Sequence, residues 1–471
     1  MNKLPPEIIT HVARSLLDES TVDATLIIPL THVCRYWRES IVSTPALWTS
    51  ISCERRGLTA LSLERSKAAP LNISLWMYQI TKDHWFADLI APHIHNVELF
   101  EVKYIEELQE LKQALPDFSQ SMPDLRSLTL MRHPLLSWQL LQDGHIDSLG
   151  PLPPTLKRLT LSEIPLCLSF LRLRSLTRLT LSDRQFKLHL DTLLDFLEEN
   201  DSLERAALGI LFADSSLWSL RRRGAIKNRL RHLTINWCCS TSARFLISSI
   251  PLQRGGHLQI INPTTSESRD PPKLKDILSQ DLMAHLSNLS PFNSMDCLSE
   301  PRTIKLFGPN GGFSYDEIYL IQRVNFHELS PLPLNDVRQF RFRYRSLSLA
   351  YLRPPAFSPS LFPTLEILVV NIRTPLSRFF STMFSDPCSS PSLKILALSG
   401  CELTEDFMEE LAQFASKRKN TTSMWLKRVL IVDPNGNFPS AASISALRKH
   451  VPVVDTRIAD RVPPDLADEK V

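Results

Sequence analysis

The residues whose type and spacing could do chemistry are mostly arginines. Ser127, Arg158, Arg178, Arg205 and His232 each hold the third place of a six-residue pattern, L-x-x-L-x-L, and Thr129, Thr160, Thr180, Ala207 and Thr234 hold the fifth. If each pattern is a strand, the third and fifth side chains share a face, and stacked strands align them into a basic stripe beside a threonine stripe. Further on, Phe340, Phe342 and Tyr344 alternate with Arg341, Arg343 and Arg345. A guanidinium fork pairs with carboxylate or phosphate through two parallel hydrogen bonds. The chemistry on offer is capture of an acidic or phosphorylated protein segment, with Arg158, Arg178, Arg205, His232, Arg341 and Arg343 as candidate substrate-binding residues. A plainer reading carries more weight: arginine and threonine are good solvated strand residues, and such a stripe can simply keep a sheet soluble.

Catalytic constellations do not emerge, so neither catalytic residues nor a cofactor are assigned. The glycine-rich run Gly308 to Gly312 lacks the lysine and hydroxyl of a phosphate-binding loop. His93 with His95, or Asp83 with His84, have no third ligand at a metal-binding spacing. Cys238 and Cys239 have no nearby histidine to activate a nucleophile and read as repeat core. Arg221, Arg222, Arg223, Lys227, Arg229 and Arg231 are read as a solvated turn between repeats rather than a nucleic-acid patch.

The elements that must position the arginines are repeats. The pattern returns as Ile94-Val97-Leu99, Leu125-Leu128-Leu130, Leu156-Leu159-Leu161, Leu176-Leu179-Leu181, Leu203-Ala206-Leu208 and Leu230-Leu233-Ile235. It resumes as Val337-Phe340-Phe342, Leu365-Leu368-Val370, Leu393-Leu396-Leu398 and Leu426-Val429-Ile431. One such strand cannot bury its apolar side alone, whereas a stack of parallel strands with return segments shares one core. Return helices are predicted at Leu190 to Leu197 and at Phe407 to Phe414 behind a Thr404 cap, and another at Ile105 to Leu115. The pattern resembles degenerate leucine-rich repeats, although the usual Asn or Cys three residues after the last leucine is mostly missing.

The first fifty residues read differently. Pro5 and Pro6 suit a helix start, and Ile8, Ile9, Val12, Leu16 and Leu17 then recur at helical spacing, which predicts one buried face. Leu30, Val33, Cys34, Trp37 and Ile41 repeat that period, and Pro45 restarts the chain into Leu47, Trp48 and Ile51. Three short helices make a small core that should lean on a partner or on the next domain.

This stretch resembles the F-box, in the F-box-like form common in fungal families. Leu4, Pro5, Glu7 and Ile8 match its "LPxEI" opening, Cys34, Arg35, Trp37 and Arg38 its "CRxWR" centre, and Thr44, Pro45, Leu47 and Trp48 its "tPxLW" close. The resemblance covers about a tenth of the chain. It implies docking on the adaptor subunit of a cullin-RING (SCF-type) ubiquitin ligase, and through it on a cullin, with Leu4, Pro5, Ile8, Ile9, Leu30, Trp37 and Trp48 facing the adaptor. The chain would then be a non-catalytic receptor for an unidentified protein substrate in the ubiquitin conjugation pathway.

Composition agrees with an interaction protein. Glycine is scarce at 12 residues, which argues against phosphate loops, and a net charge of +3 makes no case for nucleic acid. Eight cysteines without CxxC pairing read as reduced, in cytoplasm or nucleus, and neither a leader nor a membrane span is expected. The predicted fold class is α/β: a small N-terminal three-helix F-box bundle followed by a leucine-rich-repeat-like solenoid with parallel strands. The predicted divisions are the F-box-like domain at 1–51, a connector packed on it at 52–92, repeats at 93–253, an irregular insertion with one helix at 254–336, repeats at 337–433 and a C-terminal tail at 434–471. Two alternatives stay open: a repeat scaffold that has lost the adaptor, and an enzyme with a site built across 254–336.

Overall fold

The structure is a computed structural model. It describes residues 4–19, 24–76, 85–105, 121–132, 152–164, 173–188, 190–212, 230–236, 246–247, 250, 252–262, 280–299, 302–317, 326–344, 356–372, 376–421, 425–433 and 435–459. The chain forms two compact units, Met1–Arg229 and Leu230–Val471.

The first unit opens with helix α1 (Pro6–Glu19), a one-turn helix α2 (Ile28–Thr31), helix α3 (Arg35–Val42) and a 3-10 turn Pro45–Leu47. Of the three helices expected from periodicity, the middle one is a single turn that opens with Pro29 in its first turn and ends at the C-cap His32. Strands β1 (Ser50–Ser52), β2 (Leu71–Trp76), β3 (Val97–Ile105), β4 (Ser127–Arg132), β5 (Arg158–Ser162), β6 (Arg178–Leu188) and β7 (Arg205–Phe212) follow, each hydrogen-bonded in parallel to the next.

The repeat begins earlier than the sequence pattern suggests. Trp48, Ile51 and Cys53 have the L-x-x-L-x-L spacing and are at most 1% exposed, and Ile51 pairs with Ile73 of β2. The stretch read as a connector therefore carries the last residue of β1, the helix Arg56–Ser66 and strand β2. Trp76, at the end of β2, stacks on Tyr104 of β3 at 4.6 Å. In β3 the expected triplet Ile94-Val97-Leu99 is displaced by three residues. Phe100 pairs with Leu128 and Val102 with Leu130, so the core triplet is Val97-Phe100-Val102, all 0% exposed, and Leu99 turns to the other face.

The second unit contains β8 (His232–Asn236), β9 (Gly256–Asn262), β10 (Ser294–Ser299), β11 (Arg302–Gly308), β12 (Gly311–Glu317), β13 (Gln339–Tyr344), β14 (Ile367–Ile372), β15 (Ile395–Ser399), β16 (Arg428–Val432) and β17 (Val453–Arg457). The segment read as an irregular insertion holds four of these strands. β9 continues the parallel ladder from β8, and β12, β11 and β10 form an antiparallel meander between β9 and β13. The chain runs from β9 through the helix Gln280–Leu289 to the far side of the meander and threads back, so both outer strands of the insert pair in parallel with the repeats. The run Gly308 to Gly312 is the turn between β11 and β12. Gly311 has φ +143°, and a Cβ there would strike the Gly256 carbonyl, which explains the glycine without any phosphate. β17 adds a repeat in the part read as tail, after the helix Ala441–Arg448 that Ser440 caps.

A hydroxyl just before the first apolar position of several repeats ties one turn to the previous one. Thr155 donates to the carbonyls of Pro123 and Leu125, Ser175 to those of Pro154 and Leu156, and Thr364 to those of Asn335 and Val337. Cys401, three residues after Leu398, contacts the Val370 carbonyl at 3.5 Å, while burial pushes the pKa of its thiol up to about 12. Opposite β13 to β16 the core is aromatic: Phe340 stacks on Phe362 at 4.8 Å and Phe342 on Phe379 at 5.1 Å.

Candidate functional site

The N-terminal module has a core and, on the same helix, a second apolar side that it leaves open. Ile9, Ala13, Ile27, Ile41, Leu47 and Trp48 are at most 1% exposed and pack together, with Leu17, Leu30, Tyr36 and Trp37 against them. Residues 9, 13 and 17 recur every fourth position, one line along α1. Leu4, Ile8, Val12 and Leu16 form the adjacent line, and they are 41%, 46%, 39% and 38% exposed. The apolar arc of α1 is wider than one small core can cover. Leu26 and Val33 are exposed as well.

The expected adaptor-facing set therefore divides. Leu4, Pro5 and Ile8 are on the surface, and Leu30 and Trp37 are half-buried. Ile9 and Trp48 are 0% exposed and belong to the core, a correction to their expected outward role. The expectation that Val12 and Leu16 are buried also fails. Sequence reasoning missed Val12, Leu16, Leu26 and Val33 as surface residues, although the four-residue spacing from Leu4 to Leu16 was legible.

Several contacts fix this surface. Tyr36 Oη donates to the Leu4 carbonyl at 3.1 Å, Arg38 Nε to the Thr31 carbonyl at 3.0 Å, and Trp48 Nε1 to the Ile41 carbonyl at 3.0 Å. The Trp37 indole N–H is shut off from solvent with no hydrogen-bond partner among the described residues.

The second candidate surface is the sheet face opposite the core. In the first unit Ser127, Arg158, Arg178 and Arg205 pair in succession, as do Thr129, Thr160, Thr180 and Ala207. Arg158, Arg178 and Arg205 are exposed, so three guanidiniums stand on adjacent strands about 4.8 Å apart. In the second unit His232 pairs with His257, the rings 6.4 Å apart, and His257 Nε2 lies 3.1 Å from Ser314 Oγ. Burial, with His232 and Lys305 nearby and Asp316 opposing, holds the His257 imidazole below its usual range. Arg341 is half-buried, while Arg343 is exposed and faces Asp296 at 3.6 Å. Arg345 lies outside the described residues.

The remaining candidates contribute little. His93 and His95 sit on the 3-10 helix Ala91–Asn96, and among the described residues no cluster of three metal-binding side chains occurs. Asp83, His84, Cys238, Cys239, Arg221, Arg222, Arg223, Lys227 and Arg229 lie outside the described residues. A groove of about 630 Å³ runs between the helices Glu405–Thr421 and Ala441–Arg448, away from 254–336 where an enzyme site was considered. Among the described residues no helix is long and apolar enough to cross a membrane.

Residues 1–54 match the F-box-like family model. No curated protein matches the chain. The matched module points in general to substrate recognition for ubiquitin ligases, since F-box modules are typically non-catalytic and typically bind the adaptor subunit of a cullin-RING ligase.

Proposed function

We propose that this chain is a substrate receptor of an SCF-type ubiquitin ligase, docking on the adaptor through α1 and holding a protein target on the sheet face of its leucine-rich-repeat-like strands. The observation that carries this reading is the exposed line Leu4, Ile8, Val12 and Leu16 on a module of the F-box-like family. Covering a half-exposed Leu, Ile or Val contributes about 1 kcal/mol or more, so four in a row supply the apolar centre of an interface. Arg158, Arg178, Arg205, His232, Arg341 and Arg343 are the target-facing residues, suited to carboxylate or phosphate. The chain does no bond chemistry; it holds a target near the ubiquitin-charged enzyme and makes the encounter effectively intramolecular.

The test is a direct titration of the whole chain against the ligase adaptor, repeated with Leu4→Asp plus Ile8→Asp. Saturable binding that the double variant loses while keeping its fold supports the reading. No binding by the unaltered chain overturns it and leaves a repeat scaffold without a ligase.

A further inference from the structure

The antiparallel meander sets a solvent-facing aromatic beside two cations that make no ion pair. Ile304 and Leu306 of β11 are 0% exposed, so Lys305 and Phe307 take the opposite face, where Phe307 is 41% exposed. A lone exposed ring needs no explanation; what distinguishes Phe307 is its row. Register places His257 of β9, Gly312 of β12, Phe307 and Ser294 of β10 side by side. A Cβ at Gly312 would strike the His257 ring, which reaches across to Ser314. The phenyl ring thus stands between a glycine and a serine, with no bulky residue directly opposite it on either adjoining strand. The next row runs Gln259, Ser314, Lys305, Asp296 and Arg341. The carboxylates near it are engaged, since Gln259 donates to Asp316 at 2.8 Å and Asp296 faces Arg343 at 3.6 Å. Among the described residues neither Lys305 nor Arg341 makes an ion pair, and Arg341 lies 3.0 Å from the neutral side-chain amide of Gln339.

We propose that Phe307 and Lys305 anchor an extended acidic segment of a protein target, an aromatic or large aliphatic side chain packing on Phe307 while an Asp or Glu two residues away meets Lys305. This rests on the target-holding role proposed for the sheet face and names what that face takes in the second unit. The spacing fits, because side chains two apart on a strand project from the same side about 7 Å apart, in the ligand as in β11. Arg341 lies two strands from Lys305, about 10 Å away, and offers a second place for a carboxylate reaching across the sheet. An apolar anchor rimmed by charge is the arrangement that concentrates binding energy in a few residues, since covering the ring also strips water from the neighbouring ion pair. The arginine stripe of the first unit has threonines beside it and answers to charge alone. Phe307 adds an apolar contact and so discriminates among acidic segments.

The experiment selects short random peptides, displayed on phage, against the whole chain. Enrichment of peptides with an aromatic or large aliphatic residue two places from Asp or Glu is expected; no enrichment, or peptides without this pair, overturns the proposal. The selected peptides are then synthesised and titrated. Phe307→Ser and Lys305→Glu should each weaken binding about tenfold or more. Exchanging the peptide's acid for lysine should restore binding to the Lys305→Glu chain, a gain that a misfolded variant cannot give. Peptides that both variants hold as tightly as the unaltered chain overturn the anchor. If those peptides are instead lost on charge reversal at Arg158, Arg178 and Arg205, the sheet face still holds targets and only this site fails. Adaptor binding is a separate readout, so failure of the ligase reading is told apart from failure here.

Discussion

The indole N–H of Trp48 reaches the carbonyl of Ile41 at 3.0 Å, tying the first apolar position of the first repeat to the last turn of α3. Arg65 lies over the same ring at 4.3 Å. The helical module and the sheet thus share one buried side chain. Trp48→Ala should lower stability by about 3–5 kcal/mol through the cavity, and Trp48→Phe by about 1–2 kcal/mol through the lost hydrogen bond and smaller ring. Denaturant unfolding checks this, and a loss under about 1 kcal/mol for the alanine variant would remove the shared-core account.

Ile8 and Ile9 are neighbours in sequence with opposite fates. Ile8→Asp places a charge on the surface and should change stability by less than about 1 kcal/mol while abolishing adaptor binding. Ile9→Asp buries a charge in the core and should unfold the module. Circular dichroism beside the adaptor titration separates them; if Ile8→Asp unfolds the module as well, α1 has no free apolar side.

Arg418 is 0% exposed, and it donates to the carbonyls of Pro387, Ser390, Pro391 and Leu393 at 2.6 to 3.2 Å. One guanidinium thus organises the turn that leads into β15. Arg418→Met keeps volume but removes these donors, and should cost about 3 kcal/mol or more. Equal unfolding midpoints for the two chains would show that the turn holds itself.

His257 predicts a pH dependence. Its folded pKa is depressed, chiefly by burial, with His232 and Lys305 acting the same way and Asp316 against them. The unfolded chain therefore binds the proton more readily. Stability is fully present above about pH 6.5 and is lost as pH falls through the lower folded value. Thermal unfolding between about pH 7.5 and about pH 5 should show this loss, and His257→Gln should flatten the curve. An unchanged curve in the variant would assign the acid sensitivity elsewhere.

Charge reversal at Arg158, Arg178 and Arg205 tests the stripe. All three are exposed, so the fold should survive, and capture of an acidic or phosphorylated target should fall sharply. Unchanged capture would leave the arginines as solvated strand residues only.

Local sequence determined the strands wherever apolar spacing had one consistent frame. Leu125-Leu128-Leu130 and its successors to Leu203-Ala206-Leu208 are buried as spaced, and the stacking of Arg158 on Arg178 and Arg205 followed from period-two alternation alone. Where two frames fitted, only neighbours could choose: Ile94-Val97-Leu99 and Val97-Phe100-Val102 have the same spacing, and the pairing of β3 with β4 selects the second. Likewise α1 carries apolar residues on two adjacent lines, and the positions of Ile27, Ile41 and Trp48 decide that 9 and 13 go inside while 8, 12 and 16 stay out. The meander at β10 to β12 depends on pairings between residues far apart in sequence, which no local period encodes. Periodicity fixes which side chains share a face; only the packed neighbours fix what that face meets.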